Sequence, residues 1–229
     1  MKSSEDGTSE IPCTWDEDAN CMNCSIKGEL DCKWKQHLLL RFYKYSLPAI
    51  ISGFLGLMIV GLKVSWIPLI TYGAFWIFFF GFFEIRVLCS HCPYYAEGEG
   101  RVLHCLANHG MIKIWKYRPG PMKAWEQLGF ASGALFFVLF PIVGEIYGLI
   151  SLWEATGSIN GAMVVLILLL LASTIGGIIF AVKISTRICI KCVNFSCPFN
   201  RVPKKMVDEY LKINPVMKEA WEKADYKIN

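Results

Sequence analysis

Two long apolar blocks, each interrupted once, constrain this chain more than any other feature. The first divides into 46–62 and 64–83, with Lys63 at the break; the second divides into 128–150 and 161–182, with SLWEATGSIN between. At ~1.5 Å rise per residue, each piece approaches the ~20 residues that cross a ~30 Å hydrocarbon core. The first piece is short and needs help from flanking aromatics to cross. A hydrophobic content of 54% and a mean hydropathy of +0.40 place the chain outside the usual range of soluble proteins. The expected fold class is therefore an all-α integral membrane protein, with four transmembrane helices arranged as two hairpins.

Four spans put both termini on one side, and charge says which. Of 23 Lys and Arg, only Lys63 falls opposite the termini and the loop 86–126. By the positive-inside rule the populated side, with both termini, is cytoplasmic. The start, MKSSEDGTSEIPC, has no apolar stretch at signal-peptide distance, so insertion is expected to rely on the internal spans. The chain then reads as an acidic Cys-rich arm (1–36), an interfacial helix and first hairpin (37–85), a metal-binding loop (86–126), a second hairpin (127–182), and a Cys cluster with a helical tail (183–229). The arm carries eight acids in residues 1–32 against Lys2 and Lys27, and the tail is basic. The basic residues flank apolar spans as topology signals, which argues against nucleic acid as a partner and for the lipid bilayer.

Small residues at i, i+4 predict close helix packing: Gly129 and Gly133, Gly144 and Gly148, Ala172 and Gly176. The aromatic run FWIFFFGFF reads as lipid-facing bulk or core packing. Two segments, KWKQHLLLRFYKY and MIKIWKYRPGPMKAWEQ, read as interfacial. In the tail, Pro203 and Asn214-Pro215 mark helix starts, with apolar faces at helical spacing that pack on the protein's own loops or dock a soluble partner. Glu145, four residues after Pro141, is an ionisable group inside a span and a candidate intramembrane ion or proton site.

All ten cysteines fall on the cytoplasmic side, where a reducing medium disfavours stable disulfides and points to metal or redox work. Cys89, Cys92, Cys105 and His109 have the spacing C-x2-C-x12-C-x3-H, that of a finger closed by a knuckle and a later pair. Gly98 and Gly100 let the intervening chain turn back, and His91 and His104 are competing donors. Cys189, Cys192 and Cys197 form C-x2-C-x4-C-P, a set one ligand short. The arm offers Cys13, Cys21, Cys24 and Cys32, able to close a four-thiolate site of their own or to lend a ligand to the tail. RVLCSHCPYY and RICIKCVNFSCPF both follow a hairpin and share an arginine, a C-x-x-C and a Cys-Pro-aromatic step, which suggests an internal duplication.

Thiolates and imidazole suit zinc, so zinc is the expected cofactor, with an iron–sulfur cluster as the alternative. Four peripheral histidines leave no axial ligands for haem between spans. Both C-x-x-C pairs follow the carboxyl end of a span, which gives no dipole help to a reactive thiol and ranks thiol redox or metal transfer third. No nucleotide-binding loop, hydrolase elbow or metalloprotease helix is present. The expected role is a membrane anchor or coupling subunit for a soluble or membrane protein partner on the cytoplasmic side. Iron–sulfur electron transfer is the alternative, and an oxidoreductase subunit is the enzymatic role that fits best.

Overall fold

The computed structural model describes residues 12–16, 19–97 and 100–229. It is all-α, with four helices long and apolar enough to cross a membrane: α1 (Gln36–Lys63), α2 (Ile67–His91), α3 (Ala124–Thr156) and α4 (Gly161–Ile188). Two short helices follow, α5 (Lys204–Lys212) and α6 (Pro215–Glu222). The breaks come where expected. Lys63 ends α1, Pro68 sits in the first turn of α2 where its missing N–H costs nothing, and Asn160 caps α4 by accepting from the Met163 amide at 3.1 Å. The helices outrun the apolar pieces. Within KWKQHLLLRFYKY, α1 starts at Gln36 and runs on into the first span without a break. No Gly interrupts that run, and its Leu38 and Leu39 have a core to enter.

The chain separates into two compact units. One gathers the described residues of Met1–Leu39 with Phe83–Phe130 and Ser185–Asn229; the other comprises Leu40–Phe82 and Ala131–Ile184.

The second unit is the helical bundle, and small residues set its packing. A Cβ on Gly176 would come within 3.1 Å of the Ala49 backbone, while Gly144 faces Leu57 and Gly148 faces Val60. Without a hydrophobic drive between helices in lipid, such close approach is what gains dispersion energy. Gly133 likewise leaves room for the Phe79 ring. The aromatic run divides between the two expected roles. Phe75 packs on Phe136 (4.4 Å between centroids) and Phe80 on Phe137 (5.0 Å), whereas Ile77, Phe78 and Phe82 are exposed outward. Pro141 passes through α3 without ending it. Having no N–H, it frees the carbonyl of Phe137, and the buried Tyr72 hydroxyl donates to that oxygen at 3.0 Å. Both α2 and α4 contain a π-helical turn, Phe79–Phe83 and Ile184–Ile188, each ahead of a C-x-x-C.

The first unit is Cys-rich and mostly irregular. Its core sets Ile26 and Leu30 of the arm against Tyr94 and Leu106 of the loop and Tyr210 and Trp221 of the tail. Because irregular backbone leaves carbonyls without ladder partners, indole N–H groups supply donors. Trp15 donates to Pro93 O (3.1 Å), Trp34 to Cys105 O (3.2 Å) and Trp221 to Pro119 O (3.0 Å). The tail helices thus spend their apolar faces on the protein itself: Val207, Tyr210, Leu211, Met217 and Trp221 are all buried.

Candidate functional site

The loop enters the Cys-rich unit directly from the end of α2, with Cys89 and His91 in a tight final turn and Cys92 extended after it. Residues 101–113 then fold back as a small antiparallel turn, with Leu103 N donating to Met111 O at 2.8 Å and Lys113 N to Arg101 O at 2.8 Å. The reversal uses Gly110 at φ +89°, a conformation that costs a residue with a Cβ. Gly98, one of the two glycines expected to turn this loop, lies outside the described residues.

Six cysteines from loop and tail enter one electrostatic group. Burial pushes the Cys92 thiol well above its ordinary range, and the neighbouring thiols of Cys192, Cys105 and Cys197 add to that. Burial likewise raises Cys192, with Cys197, Cys189 and Cys105 adding. Cys197 is pushed up to about 12, by burial first and then in part by Cys189 and by the Glu84 carboxylate. Burial also raises Cys105 and Cys189, the latter opposed by Arg201. Cys89 is buried and accepts a hydrogen bond from Asn108 Nδ2 at 3.2 Å.

The Cys105 sulfur also receives two backbone amides. The Ala107 and Asn108 amides donate to Cys105 Sγ, each at 3.4 Å. The backbone N–H groups of Tyr94, Asn194 and Phe199 act downward on the Cys92, Cys192 and Cys197 thiols in turn, while the Asn200 amide donates to the Cys197 carbonyl at 2.9 Å. The Ala107 and Asn108 amides favour the charged Cys105 sulfur against the burial that opposes it. Cys189 has only Arg201 acting downward on it.

The arm cysteines form a second group. Burial brings Cys32 up to about 12, with Cys13, Cys24 and Cys21 each adding. Cys13 is tied to the tail, its amide donating to Asn214 Oδ1 at 2.7 Å and its sulfur accepting from Asn214 Nδ2 at 3.4 Å. All ten cysteines are free thiols. Among the described residues, no three His, Cys, Asp or Glu side chains converge as a set that could hold a metal ion. The sulfurs are neighbours that feel one another's charge, not a closed shell.

The histidines separate by what they touch. His91 is taken up structurally, with Nδ1 2.6 Å from Gly120 O and Nε2 3.5 Å from Glu126 Oε2. His104 Nδ1 lies 2.7 Å from Glu97 Oε2. The His109 ring stacks on Trp34 at 4.9 Å, and its buried Nδ1 has no hydrogen-bond partner. His37 sits near the start of α1 with its side chain exposed.

Sequence reasoning missed an ionic clamp beside the loop. Glu126 is fully buried and holds Arg118 Nη2 at 2.8 Å, Arg86 Nη1 at 3.9 Å and the Lys123 amide at 2.9 Å. Arg118 also donates to the Arg86 carbonyl at 2.7 Å. The sole signal for it was an acidic residue in the first turn of α3, which ordinarily marks only a helix start. Sequence reasoning also passed over Glu84. It is buried beside the thiols, acts on Cys105 and Cys197, and keeps Oε2 without a partner.

In the bundle, Glu145 is fully buried. Its Oε2 accepts from Ser173 Oγ at 2.7 Å, its Oε1 has no partner, and Gly56 of α1 leaves the space it fills. A small cavity nearby, lined by Ser46, Tyr72, Pro141 and Ser173 among others, contains the similarly unpartnered Ser46 Oγ.

No protein-family model matches the sequence, and neither a curated protein nor a solved structure matches it.

Proposed function

We propose that this membrane protein holds metal through thiolates in its Cys-rich unit, zinc first, and serves as an anchor or coupling subunit for a soluble or membrane partner. The observation that carries this is the gathering of six loop and tail thiols, three of them buried and three partly buried, with two backbone amides donating to Cys105 Sγ. Ionising several neighbouring sulfurs in a dry interior needs positive charge among them, which a thiolate-bound metal supplies. Cys89, Cys92, Cys105 and His109, the tail set Cys189, Cys192 and Cys197, and the arm set Cys13, Cys21, Cys24 and Cys32 are its candidate ligands. His109 Nδ1 and His91 Nε2 are both buried without a hydrogen-bond partner, whereas His104 is engaged by Glu97; the finger spacing puts His109 ahead.

On this reading the metal fixes a unit whose loop and arm backbone is mostly irregular. Both termini and the Cys-rich unit lie on the cytoplasmic side, as the distribution of Lys and Arg supports. Matching C-x-x-C motifs after two hairpins, each preceded by a π-helical turn, support an internal duplication. Glu145, buried in a span with one free oxygen, is proposed to handle a proton or cation.

One observation favours a second reading, iron–sulfur electron transfer. Two backbone amides donate to Cys105 Sγ, and hydrogen bonds to sulfur are a lever by which proteins tune clusters. The deciding experiment is zinc, iron and acid-labile sulfide content with an absorption spectrum, on protein purified without oxygen or an affinity tag. Zinc without visible bands supports the first reading, and iron with sulfide the second. Protein without either metal overturns both.

A further inference from the structure

Resting on the reading of Glu145 given above, we propose that its ligand is a proton, exchanged through Ser173 with a water held in the cavity beside Ser46. All of these groups belong to the helical bundle.

Glu145 is fully buried, and 46–62, 64–83, 128–150 and 161–182 contain no Lys, Arg or His and no other acid. Lys63 is exposed at the end of α1, about two turns beyond Gly56, against which the carboxyl packs. Tyr147 and Glu154, further along α3, are exposed, and Tyr72 of α2 donates its hydroxyl proton to Phe137 O. An ionised carboxylate with no positive partner is costly in such surroundings. A proton is the partner that fits. Gly56 lets α1 pass directly against Oε1, so the carboxyl fills its own pocket and leaves no room for an ion with a ligand shell. Among the described residues, no three His, Cys, Asp or Glu side chains gather to hold a metal ion.

The hydrogen bonds around Ser173 accommodate both protonation states. Its Oγ lies 2.7 Å from Glu145 Oε2 and 3.1 Å from Leu170 O, and one hydroxyl has one proton to give. With the carboxylate ionised, that proton goes to Oε2 and the Leu170 contact is not a bond. With the acid neutral, Oε2 donates to Ser173 Oγ and Ser173 donates to Leu170 O, so both contacts are bonds. Ser173 thus reverses its role as Glu145 gains or loses a proton.

Ser173 also lines a cavity of about 20 Å³ whose other walls include Ser46 and Tyr72. That volume admits one water, for which roughly 10–15 Å³ suffices. Ser46 Oγ is buried and has no hydrogen-bond partner, so a water there meets a free group as well as Ser173. The cavity leads toward the end of the bundle from which α1 and α3 start. Ser46 precedes Gly56 in α1, Phe137 precedes Glu145 in α3, and Phe180 follows Ser173 in α4, which returns from α3 by a short loop. On uptake, an excess proton on the cavity water passes to Ser173 Oγ while the Ser173 hydroxyl proton passes to Oε2. The carboxylate becomes the neutral acid, the water is left neutral, and release runs in reverse.

The test is infrared difference spectroscopy of the full-length protein in phosphatidylcholine vesicles stepped in pH, with the neutral-acid C=O band assigned by its loss in Glu145→Gln. A proton site predicts a band that grows as pH falls and is unmoved by Na⁺ or Ca²⁺ at fixed pH. Transfer to D₂O is expected to shift the band in wild type, and to do so later in Ser173→Ala and Ser46→Ala. A band abolished by either cation at fixed pH overturns the proposal and leaves Glu145 as a cation site. Shifts that arrive equally fast in all three proteins overturn the route through Ser173. A band that neither pH nor salt moves, or no band at all, brings down the reading of Glu145 as an exchange site. Wild type treated with an apolar carbodiimide, which needs the neutral acid, gives a check without variants: the Glu145 adduct should decline as pH rises, and an adduct lost on adding Na⁺ overturns the proposal.

Discussion

The helical bundle and the Cys-rich unit meet one requirement, satisfying a buried backbone, with opposite materials. In the bundle the helices satisfy their own hydrogen bonds, so side chains are left to adjust distance: Gly176 against Ala49, Gly144 against Leu57. In the Cys-rich unit few backbone groups have a helical partner. Three indoles, Arg118, Asn194 and Asn214 donate to carbonyls there instead, and the Cys105 sulfur takes two amides. The bundle's stability is thus spread over many contacts of small worth, whereas that of the Cys-rich unit is concentrated in a few polar and sulfur groups.

The sharpest way to break this contrast is metal removal. Chelation is expected to make the Cys-rich unit protease-sensitive at sites within 86–123 and 189–229 while helical circular dichroism stays nearly unchanged. Equal loss in both signals would show that stability is not concentrated as described. Next comes Glu126→Ala, expected to cost ~3 kcal/mol, at the low end for breaking a buried ion pair because Arg118 is partly exposed. A melting temperature unmoved by that change would remove the clamp from the account. Gly176→Leu forces the α1 and α4 backbones apart and is expected to cost up to ~3 kcal/mol, read from the loss of helicity on heating in detergent.

Cys92→Ser, in the buried group, is expected to cost ~1–3 kcal/mol, and Cys13→Ser less, since Cys13 is only half-buried. Equal protease sensitivity of the two variants would erase that ranking. The smallest effect expected is that of Ser173→Ala, ~0.6 kcal/mol for one interhelical hydrogen bond in a membrane, measured by the same melt. A loss of several kcal/mol would mean that the Ser173–Glu145 pair does more than join two helices.

What could be read in advance followed periodicity and local chemistry. The four spans, the turn at Lys63, the Asn160 cap, the start of α6 at Pro215 and the role of paired glycines all depend on residues near one another in the chain. Boundaries ran long because α1 and α2 continue into polar sequence once the Cys-rich core offers their ends a place to pack. For the candidate site, the cysteines themselves were evident, whereas their partition was not. Spacing sees Cys89 to His109 as one set and Cys189 to Cys197 as another, because it measures only separation along the chain.

By itself, then, the sequence determined an all-α chain with four helices long and apolar enough to cross a membrane, because helix length and apolarity are properties of single segments. It also determined that sulfur chemistry is concentrated outside those segments. Only the tertiary structure decided that Cys92 and Cys192, a hundred residues apart, share one electrostatic group and that Tyr72 takes the carbonyl freed by Pro141. It alone revealed that Glu84 and Glu126 are buried with such different company. The physical reason is that burial and charge coupling depend on distance in space, and a return of the chain after a hundred residues leaves no local trace in composition or period.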